Sequence, residues 1–167
     1  MSDSESNPQV RATALQQALT RLNVREYGAR EMKNYLRRKA YGPEEIDTAV
    51  EALVQKGLIS DERFSRIIAR HSAQRGKGPG YIRSKLHQKG VKLEPGQAKK
   101  LFDELSPESE LDLARRLLSS KYPRAFESMK EKQRAYQGLI RRGISHDVVQ
   151  ACFKSPVSEP EQFEEQD

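Results

Sequence analysis

A helix ending of one chemical type recurs about every fifty residues along this chain. It reads Leu86-x-x-Lys89-Gly90-Val91 in the middle and Leu139-x-x-Arg142-Gly143-Ile144 near the end, with a degenerate first copy at Leu36-x-x-Lys39-Ala40-Tyr41. The base complements the negative end of the helix dipole, and glycine adopts the left-handed cap at little steric cost. A repeat of about fifty residues predicts a tandem array of small helical units.

Prolines and small polar residues mark the expected helix starts, because a proline in the first helical turn loses no hydrogen bond. The prolines in question are Pro43, Pro79, Pro95, Pro107 and Pro123. The predicted N-terminal caps are Gly42, Gly78, Ser106, Ser60 and Ser145. Between these marks the spacing of apolar residues places each set on one helical face, as it does Met129, Tyr136, Leu139 and Ile140. The spacing predicts an all-α fold of nine helices in three groups of three.

These patterns divide the chain into five segments. We predict a disordered acidic tail at 1–9, three-helix units at 10–58, 59–106 and 107–154, and a second disordered acidic tail at 155–167. A unit of about fifty residues buries little of its own surface. We therefore expect neighbouring units to support one another through limited contacts, in an elongated array.

Composition excludes several classes of protein. Hydrophobic residues make up 35% of the chain, and no apolar run is long enough to cross a membrane. The N-terminal segment lacks the basic and apolar regions of a signal peptide, so we expect a cytoplasmic protein. A single cysteine, Cys152, excludes an intrachain disulfide and fits a reducing compartment.

No constellation of catalytic residues is evident. The three histidines, His71, His87 and His146, have no acidic or cysteine partners at metal-ligand spacing. The glycine-rich segment at 76–80 lacks the Lys-Ser/Thr ending of a nucleotide-binding loop. We therefore predict no catalytic site, no metal and no cofactor.

The charge distribution points to a polyanionic partner. The formal net charge is +6, but seven acids lie in the first eight and last nine positions, so the body between them carries +13. Residues 61–100 hold eleven bases against three acids. Such an excess favours a nucleic acid or an acidic protein surface as the partner.

Within this basic middle segment, Arg63, Arg66 and Arg70 share one helical stripe. The turn at 75–80 follows them, and its N–H groups at the helix start after Gly78 are placed to meet a phosphate. An ordinary solvated loop is the alternative interpretation.

Two stretches of this segment resemble a known signature. Asp61-Glu62-Arg63-Phe64 and Gly78-Pro79-Gly80-Tyr81-Ile82-Arg83-Ser84-Lys85-Leu86-His87-Gln88-Lys89-Gly90-Val91 resemble the D-x-R-F and G-P-x-x-I-x-x-x-L-x-x-K-G-[IV] motifs of the RecX regulatory proteins. Weaker likenesses at 25–32 and 121–143 extend the resemblance over roughly residues 12–154. The chain departs from the family pattern at Gly28, where serine is usual, at Ala40, where glycine is usual, and at Ile144, where an aromatic is common.

The resemblance implies a non-enzymatic modulator of the RecA recombinase, built of tandem three-helix units. It implies binding along the groove of the RecA–DNA filament, with limits on filament growth, ATP hydrolysis and strand exchange in recombination, DNA repair and the SOS response. It also implies binding to single- and double-stranded DNA. We expect a monomer that requires no cofactor.

We predict that the principal contact to RecA or DNA is made by the basic residues of the middle unit, Arg66, Arg70, Arg75, Lys77, Arg83, Lys85 and Lys89. A secondary basic group in the third unit consists of Lys132, Arg134, Arg141 and Arg142. Their expected role is to position the protein against phosphate or acidic surface, not to read bases.

Two other functions fit the same residues. A stand-alone DNA-binding protein would act by competing for DNA, and the basic middle segment suffices for it. A helical adaptor would bind another protein through apolar surfaces, with the charge serving solubility. A hydrolase without a recognisable motif is a more distant alternative.

Overall fold

The computed structural model describes residues 12–154, and every regular element within them is a helix. In chain order the helices are α1 (Ala14–Leu22), α2 (Ala29–Arg38), α3 (Pro43–Gln55), α4 (Asp61–Gln74), α5 (Pro79–Gln88), α6 (Gln97–Leu105), α7 (Glu110–Lys121), α8 (Met129–Arg141) and α9 (His146–Lys154). The prediction of an all-α fold with three-helix units in tandem is confirmed for this part of the chain. The two predicted tails lie outside the described residues.

The chain divides into two compact units, with the boundary between Phe64 and Ser65 inside α4. In the first unit, α3 packs against both α1 and α2. In the second unit, α5 packs against α6, and α7 packs against α8 and α9. The finer division at residues 58 and 106 remains a prediction from the sequence.

The core of the first compact unit follows the helical spacing of its apolar residues. Ile46, Val50 and Leu53 lie on one face of α3 and are each 1% exposed. They belong to one cluster with Met32 and Leu36 of α2, which are fully buried. Burying each side chain of this size stabilises the fold by about 1.5–3 kcal/mol, which makes this cluster the main support of the first three helices.

The second compact unit has the same construction. Helix α5 buries Ile82 and Leu86 completely, and α6 buries Phe102 beside it. In the last three helices Leu113 of α7 and Leu139 of α8 are fully buried. The helices α5, α6, α7 and α8 therefore each bury apolar residues within this unit.

The recurring helix ending has one geometry in all three copies. Ala40, Gly90 and Gly143 lie in the left-handed region, with φ of 59°, 86° and 83°. In each copy the next residue donates its N–H to the carbonyl five residues back, as Val91 does to Leu86 at 3.0 Å. This is the Schellman arrangement, which satisfies the last carbonyls of a helix. The first copy adopts it although Ala40 must accept the steric strain of a side chain at positive φ.

Two of the five prolines begin helices as predicted, and three do not. Pro43 and Pro79 occupy the first helical turn after Gly42 and Gly78. Pro95 instead precedes Gly96, which caps α6 with φ 79°. The prediction that Pro95 begins a helix is wrong, because Gly96 lies between Pro95 and α6 and is the N-terminal cap of that helix.

The expected starts at Pro107 and Pro123 are also wrong, because a serine downstream of each proline caps the helix instead. Ser106 ends α6, and its hydroxyl donates to the Glu108 carbonyl at 2.8 Å. Ser109 caps α7 by accepting from the Asp112 N–H at 3.1 Å. Ser128 likewise caps α8, by accepting from the Glu131 N–H at 3.2 Å.

The apolar face of α8 is narrower than the spacing predicts. Its buried residues are Ala135, Gly138 and Leu139, whereas Met129 at its first position is 79% exposed. The expectation that Met129 shares the apolar face of Tyr136 and Leu139 is therefore wrong as regards burial. A first-turn residue lies at the edge of its own helical group, where neighbouring helices do not cover it.

Candidate nucleic-acid interface

The D-x-R-F segment at the start of α4 serves the structure of the first compact unit. Asp61 accepts a hydrogen bond from the Ala29 N–H at 2.8 Å and so caps α2, whose own cap position, Gly28, has no side chain. A Cβ on Gly28 would lie 3.0 Å from the Asp61 carboxylate and from the Phe64 ring. The absence of the usual serine is thus compensated by a carboxylate from another helix.

Arg63 is engaged within the same unit. Its Nε lies 3.0 Å from Glu26 Oε1, and its guanidinium donates to the Gly57 carbonyl at 2.9 Å. Phe64 is 2% exposed. These motif residues hold the first turn of α4 against the helices before it, so they are not the ones that offer free charge to a partner.

The glycine-rich turn after α4 also has a structural role. Gly78 donates its N–H to the Arg142 carbonyl and Gly80 donates to the Gly143 carbonyl, both at 2.8 Å. These donors lie at the start of α5, and the acceptors lie at the end of α8. The prediction that the N–H groups of this helix start meet a phosphate is wrong for these two, because the negative end of another helix already occupies them.

The contact between these two helix ends depends on glycines. A Cβ on Gly78 would lie 2.6 Å from the Gly143 carbonyl oxygen, and a Cβ on Gly143 would overlap the backbone nitrogen of Tyr81. The backbones therefore approach more closely than any residue with a side chain permits. We call this contact the glycine junction, formed by Gly78, Gly80 and Gly143.

The predicted basic residues divide according to their partners. Arg66 pairs with Glu104 at 2.8 Å and so joins α4 to α6. In contrast, the side chains of Arg70, Arg75 and Lys85 form no hydrogen bond or ion pair with other residues of the described range 12–154. Arg70 and Arg75 are exposed, and Lys85 is half-buried. These three therefore offer uncompensated charge on α4, on α5 and in the turn between them.

Lys77 and Lys89 are the two remaining predicted bases near the ends of α5. The Nζ of Lys77 lies 4.8 Å from the centre of the Tyr81 ring, a cation–π contact that holds its ammonium at the turn. Lys89 caps the C-terminus of α5 and is half-buried. Lys77 lies two residues before the start of α5, and Lys89 directly follows its end.

Arg83 occupies a different surface from these residues. It lines a cleft of about 740 Å³ together with Arg141, which the sequence assigned to the secondary group, and with Lys99. Glu110 and His146 also line this cleft. The structure therefore brings residues of two predicted groups to one cleft, through the packing of α5 and α6 near the end of α8.

The acidic residue of the cleft is satisfied internally. Glu110 is 4% exposed, and its Oε1 accepts a hydrogen bond from the Ser145 N–H at 2.6 Å, at the start of α9. Lys99 pairs with Asp103 at 2.7 Å. Arg83 and Arg141 therefore remain as the cations of the cleft without such partners in residues 12–154. The spacing of residues in the sequence does not predict that Arg83 and Arg141 line one cleft, because their proximity depends on the glycine junction.

The remaining secondary residues are more dispersed. Arg134 lies 3.7 Å from Glu131, and Lys132 places its Nζ 5.4 Å from the centre of the Phe153 ring. Arg142 contributes its carbonyl to the glycine junction. Of the secondary group, Arg141 is the member that lines the cleft.

The other ionisable groups provide no further site. Cys152 is buried, and desolvation raises the pKa of its thiol above the ordinary value of 9.0. No cluster of three or more potential metal-ligating side chains occurs in the described part of the chain. Among residues 12–154 no helix combines the length and apolar character that a membrane span requires.

Family models match three consecutive parts of the chain. Residues 14–53 match the first three-helix domain of RecX, residues 60–94 the second, and residues 108–153 the third. Each match coincides with one group of three helices or the greater part of it.

Curated relatives agree with these matches. The regulatory protein RecX of Haemophilus influenzae (strain PittGG) is 36% identical over 132 residues, which cover 75% of this chain and 83% of the relative. The regulatory protein RecX of Halorhodospira halophila is 32% identical over 139 residues, covering 81% and 83%.

Solved structures show the same fold. A crystal structure of a regulatory protein RecX superposes with a TM-score of 0.72 at 23% identity, over 85% of this chain and 70% of that one. RecX from Lactobacillus salivarius superposes with a TM-score of 0.65 at 22% identity, over 84% and 92%. With three consecutive domain matches and relatives above 30% identity over most of its length, this chain belongs to the RecX family of regulatory proteins.

Proposed function

We propose that this RecX protein binds the RecA recombinase and the DNA within its filament, and that it inhibits filament growth, ATP hydrolysis and strand exchange. Membership of a family of regulatory proteins supports a regulatory role. The partner and the inhibition are inferred from the resemblance of the sequence motifs and from the charge of the second group of helices.

The observation that carries the proposal is the set of uncompensated cations, Arg70, Arg75 and Lys85. A surface cation without an internal partner gives up no ion pair when it meets a phosphate, and the counterions released from DNA favour binding. A cation already paired, such as Arg66, must first exchange its carboxylate. The unpaired residues are therefore the stronger candidates for the contact.

Tandem helical groups suit a polymeric partner. When one group is bound, the next is held near a neighbouring site at a high effective concentration, so several weak contacts sum to a strong one. A filament presents such repeated sites, whereas an isolated RecA monomer does not. This difference predicts tighter binding to the filament than to free RecA.

A pair of charge-matched variants tests the proposal. The first combines Arg70→Ala, Arg75→Ala and Lys85→Ala, which remove three unpaired cations. The control combines Arg66→Ala, Lys99→Ala and Arg116→Ala, which remove three cations paired with carboxylates. Both variants lose three positive charges, so only the position and pairing of the charge differ between them.

The measurement is binding to RecA filaments on single-stranded DNA across a series of salt concentrations. The first variant should bind more weakly and lower the slope of log K against log salt by about 2, since each phosphate contact contributes about 0.7 on single strands. In the control variant, the slope of log K against log salt should change much less. Equal losses in the two variants would contradict the assignment, because they would reflect net charge alone.

The alternative of a stand-alone DNA-binding protein uses the same unpaired cations. It predicts strong binding to naked DNA without RecA, and no gain in affinity when RecA coats the DNA at the same salt. Inhibition would then appear only when enough protein is present to occupy the DNA.

A further inference from the structure

Four aromatic rings follow one another across the third group of helices. The centre of the Phe126 ring lies 5.6 Å from that of Phe153, which lies 6.5 Å from Tyr136. Tyr136 in turn lies 5.9 Å from the ring of His146, and its hydroxyl is hydrogen-bonded to His146 Nδ1 at 2.7 Å. We call these four residues the aromatic row.

The aromatic row is not part of the core. Phe126 is 57% exposed, His146 is exposed, and Phe153 and Tyr136 are half-buried. Each ring touches its neighbour in the row while leaving surface open to solvent. Large rings exposed together are uncommon on a protein surface and indicate a binding site.

The cations around the row outnumber the acids. Lys132 places its Nζ 5.4 Å from the centre of the Phe153 ring, and Lys154 follows that residue directly in α9. Lys130 is exposed and forms no ion pair with other residues in 12–154. Two of the nearby acids are compensated, because Glu127 pairs with Arg124 at 2.7 Å and Glu131 lies 3.7 Å from Arg134. Asp147, next to His146, is exposed and is the remaining negative charge beside the row.

We propose that the aromatic row is a stacking site for the unpaired bases of single-stranded nucleic acid, with Phe126 as its most accessible ring and Lys130 and Lys132 beside the phosphates. Alternating rings and cations are the general solution for binding single strands without sequence preference. The proposal rests on the proposed function for the presence of DNA, and adds a site and a base-dependent mode of contact to it.

Charge decides between a nucleic acid and an apolar protein surface as the occupant. An apolar partner would desolvate the ammonium groups of Lys130 and Lys132 without offering them a counter-charge. A nucleic acid offers a π-face to each ring and a phosphate to each lysine. The same arrangement would not suit double-stranded DNA, whose bases are stacked on one another.

The chain contains no tryptophan, which allows a direct optical test. The variant Phe126→Trp places a single indole at the exposed end of the row. Addition of oligo(dT) should quench its fluorescence by stacking, whereas an abasic oligonucleotide of equal length and charge should leave it largely unchanged. Equal quenching by both oligonucleotides would overturn the proposal, since the indole would then respond to charge alone.

Affinity measurements with a matched pair of variants complete the test. Phe126→Ala should weaken binding to oligo(dT) by about 5- to 100-fold, as loss of one stacking ring does elsewhere, and leave the slope with salt unchanged. Met129→Ala is the control, because Met129 is an apolar residue of the same segment with 79% exposure but has no ring. It should bind as the unaltered protein does.

The outcomes separate this proposal from the broader one. If the unaltered protein binds oligo(dT) and Phe126→Ala binds it equally well, only the stacking site is refuted. Equal losses in Phe126→Ala and Met129→Ala would also refute it, by indicating a general apolar contact. If the unaltered protein binds no DNA, with or without RecA, the proposed function fails as well.

Discussion

The glycine junction predicts that Gly143→Ala is far more damaging than an ordinary glycine substitution. Gly143 has φ 83°, and an added Cβ would overlap the backbone nitrogen of Tyr81. The clash falls on backbone atoms, which cannot turn aside as a flexible side chain can. The end of α8 must therefore move away from the start of α5.

The expected loss of stability has two contributions. A side chain in the left-handed region costs about 1–2 kcal/mol. Separation of the helix ends also breaks the bonds from Gly78 to the Arg142 carbonyl and from Gly80 to the Gly143 carbonyl, each contributing about 1 kcal/mol. Gly143→Ala should therefore lower the free energy of unfolding by about 3–4 kcal/mol.

Gly96→Ala is the matched control. Gly96 has φ 79°, close to that of Gly143, but an added Cβ would meet no atom within 4 Å. The control therefore measures the backbone strain alone, at about 1–2 kcal/mol. Both glycines lie in the second compact unit, so unfolding of that unit reports on both.

The assay is urea unfolding followed by helical circular dichroism, with the two variants compared at the same protein concentration. The prediction is a difference of about 2 kcal/mol between them, the value of the two bonds at the junction. Equal losses would mean that α5 and α8 do not approach as closely as the glycine junction requires, and would contradict this prediction.

Two further predictions concern stability. Ala40→Gly should stabilise the protein by up to about 1 kcal/mol, because it relieves the side-chain strain at φ 59°. Urea unfolding would detect the gain, and a loss of stability would contradict the presence of strain at Ala40. Burial raises the pKa of the Cys152 thiol above 9.0, so the folded state retains a proton that the unfolded state releases as the pH rises past that value. Stability should therefore fall above pH 9.0 more steeply than in Cys152→Ala, and equal slopes in the two proteins would contradict the effect of burial.

The architecture was predictable because its signals are local. The endings at Ala40, Gly90 and Gly143 depend on residues within one helical turn, and the structure places all three in the left-handed region. The helical faces follow from steps of three and four. The starts at Pro107 and Pro123 were not predictable in this way, because the competing caps, Ser109 and Ser128, satisfy the same local rules.

The site was predictable only in part, because partners remote in the sequence decide which charges are free. From the sequence alone, Arg63, Arg66 and Arg70 are equivalent bases on one face of a helix. In the structure, Arg63 pairs with Glu26 and Arg66 with Glu104, and Arg70 alone of the three has no such partner within residues 12–154. Glu26 lies 37 positions away along the chain, beyond the reach of any helical periodicity.

The sequence did not predict the aromatic row, for a related reason. Tyr136 and Phe153 fit the apolar spacing of their helices and therefore read as core residues. Phe126 lies in the turn between α7 and α8, outside any periodic pattern. Exposure of the row follows from the width of the buried face of α8, which only the packing of the helices fixes.

Action of this protein on the RecA filament is tested most directly by the rate of ATP hydrolysis by RecA on single-stranded DNA. The protein is added at amounts well below one per RecA, with DNA in excess. Action on the filament predicts strong inhibition under these conditions, because one bound molecule affects many RecA protomers. Inhibition that begins only when the protein suffices to occupy the DNA would contradict the claim, and would identify a competitor for DNA instead.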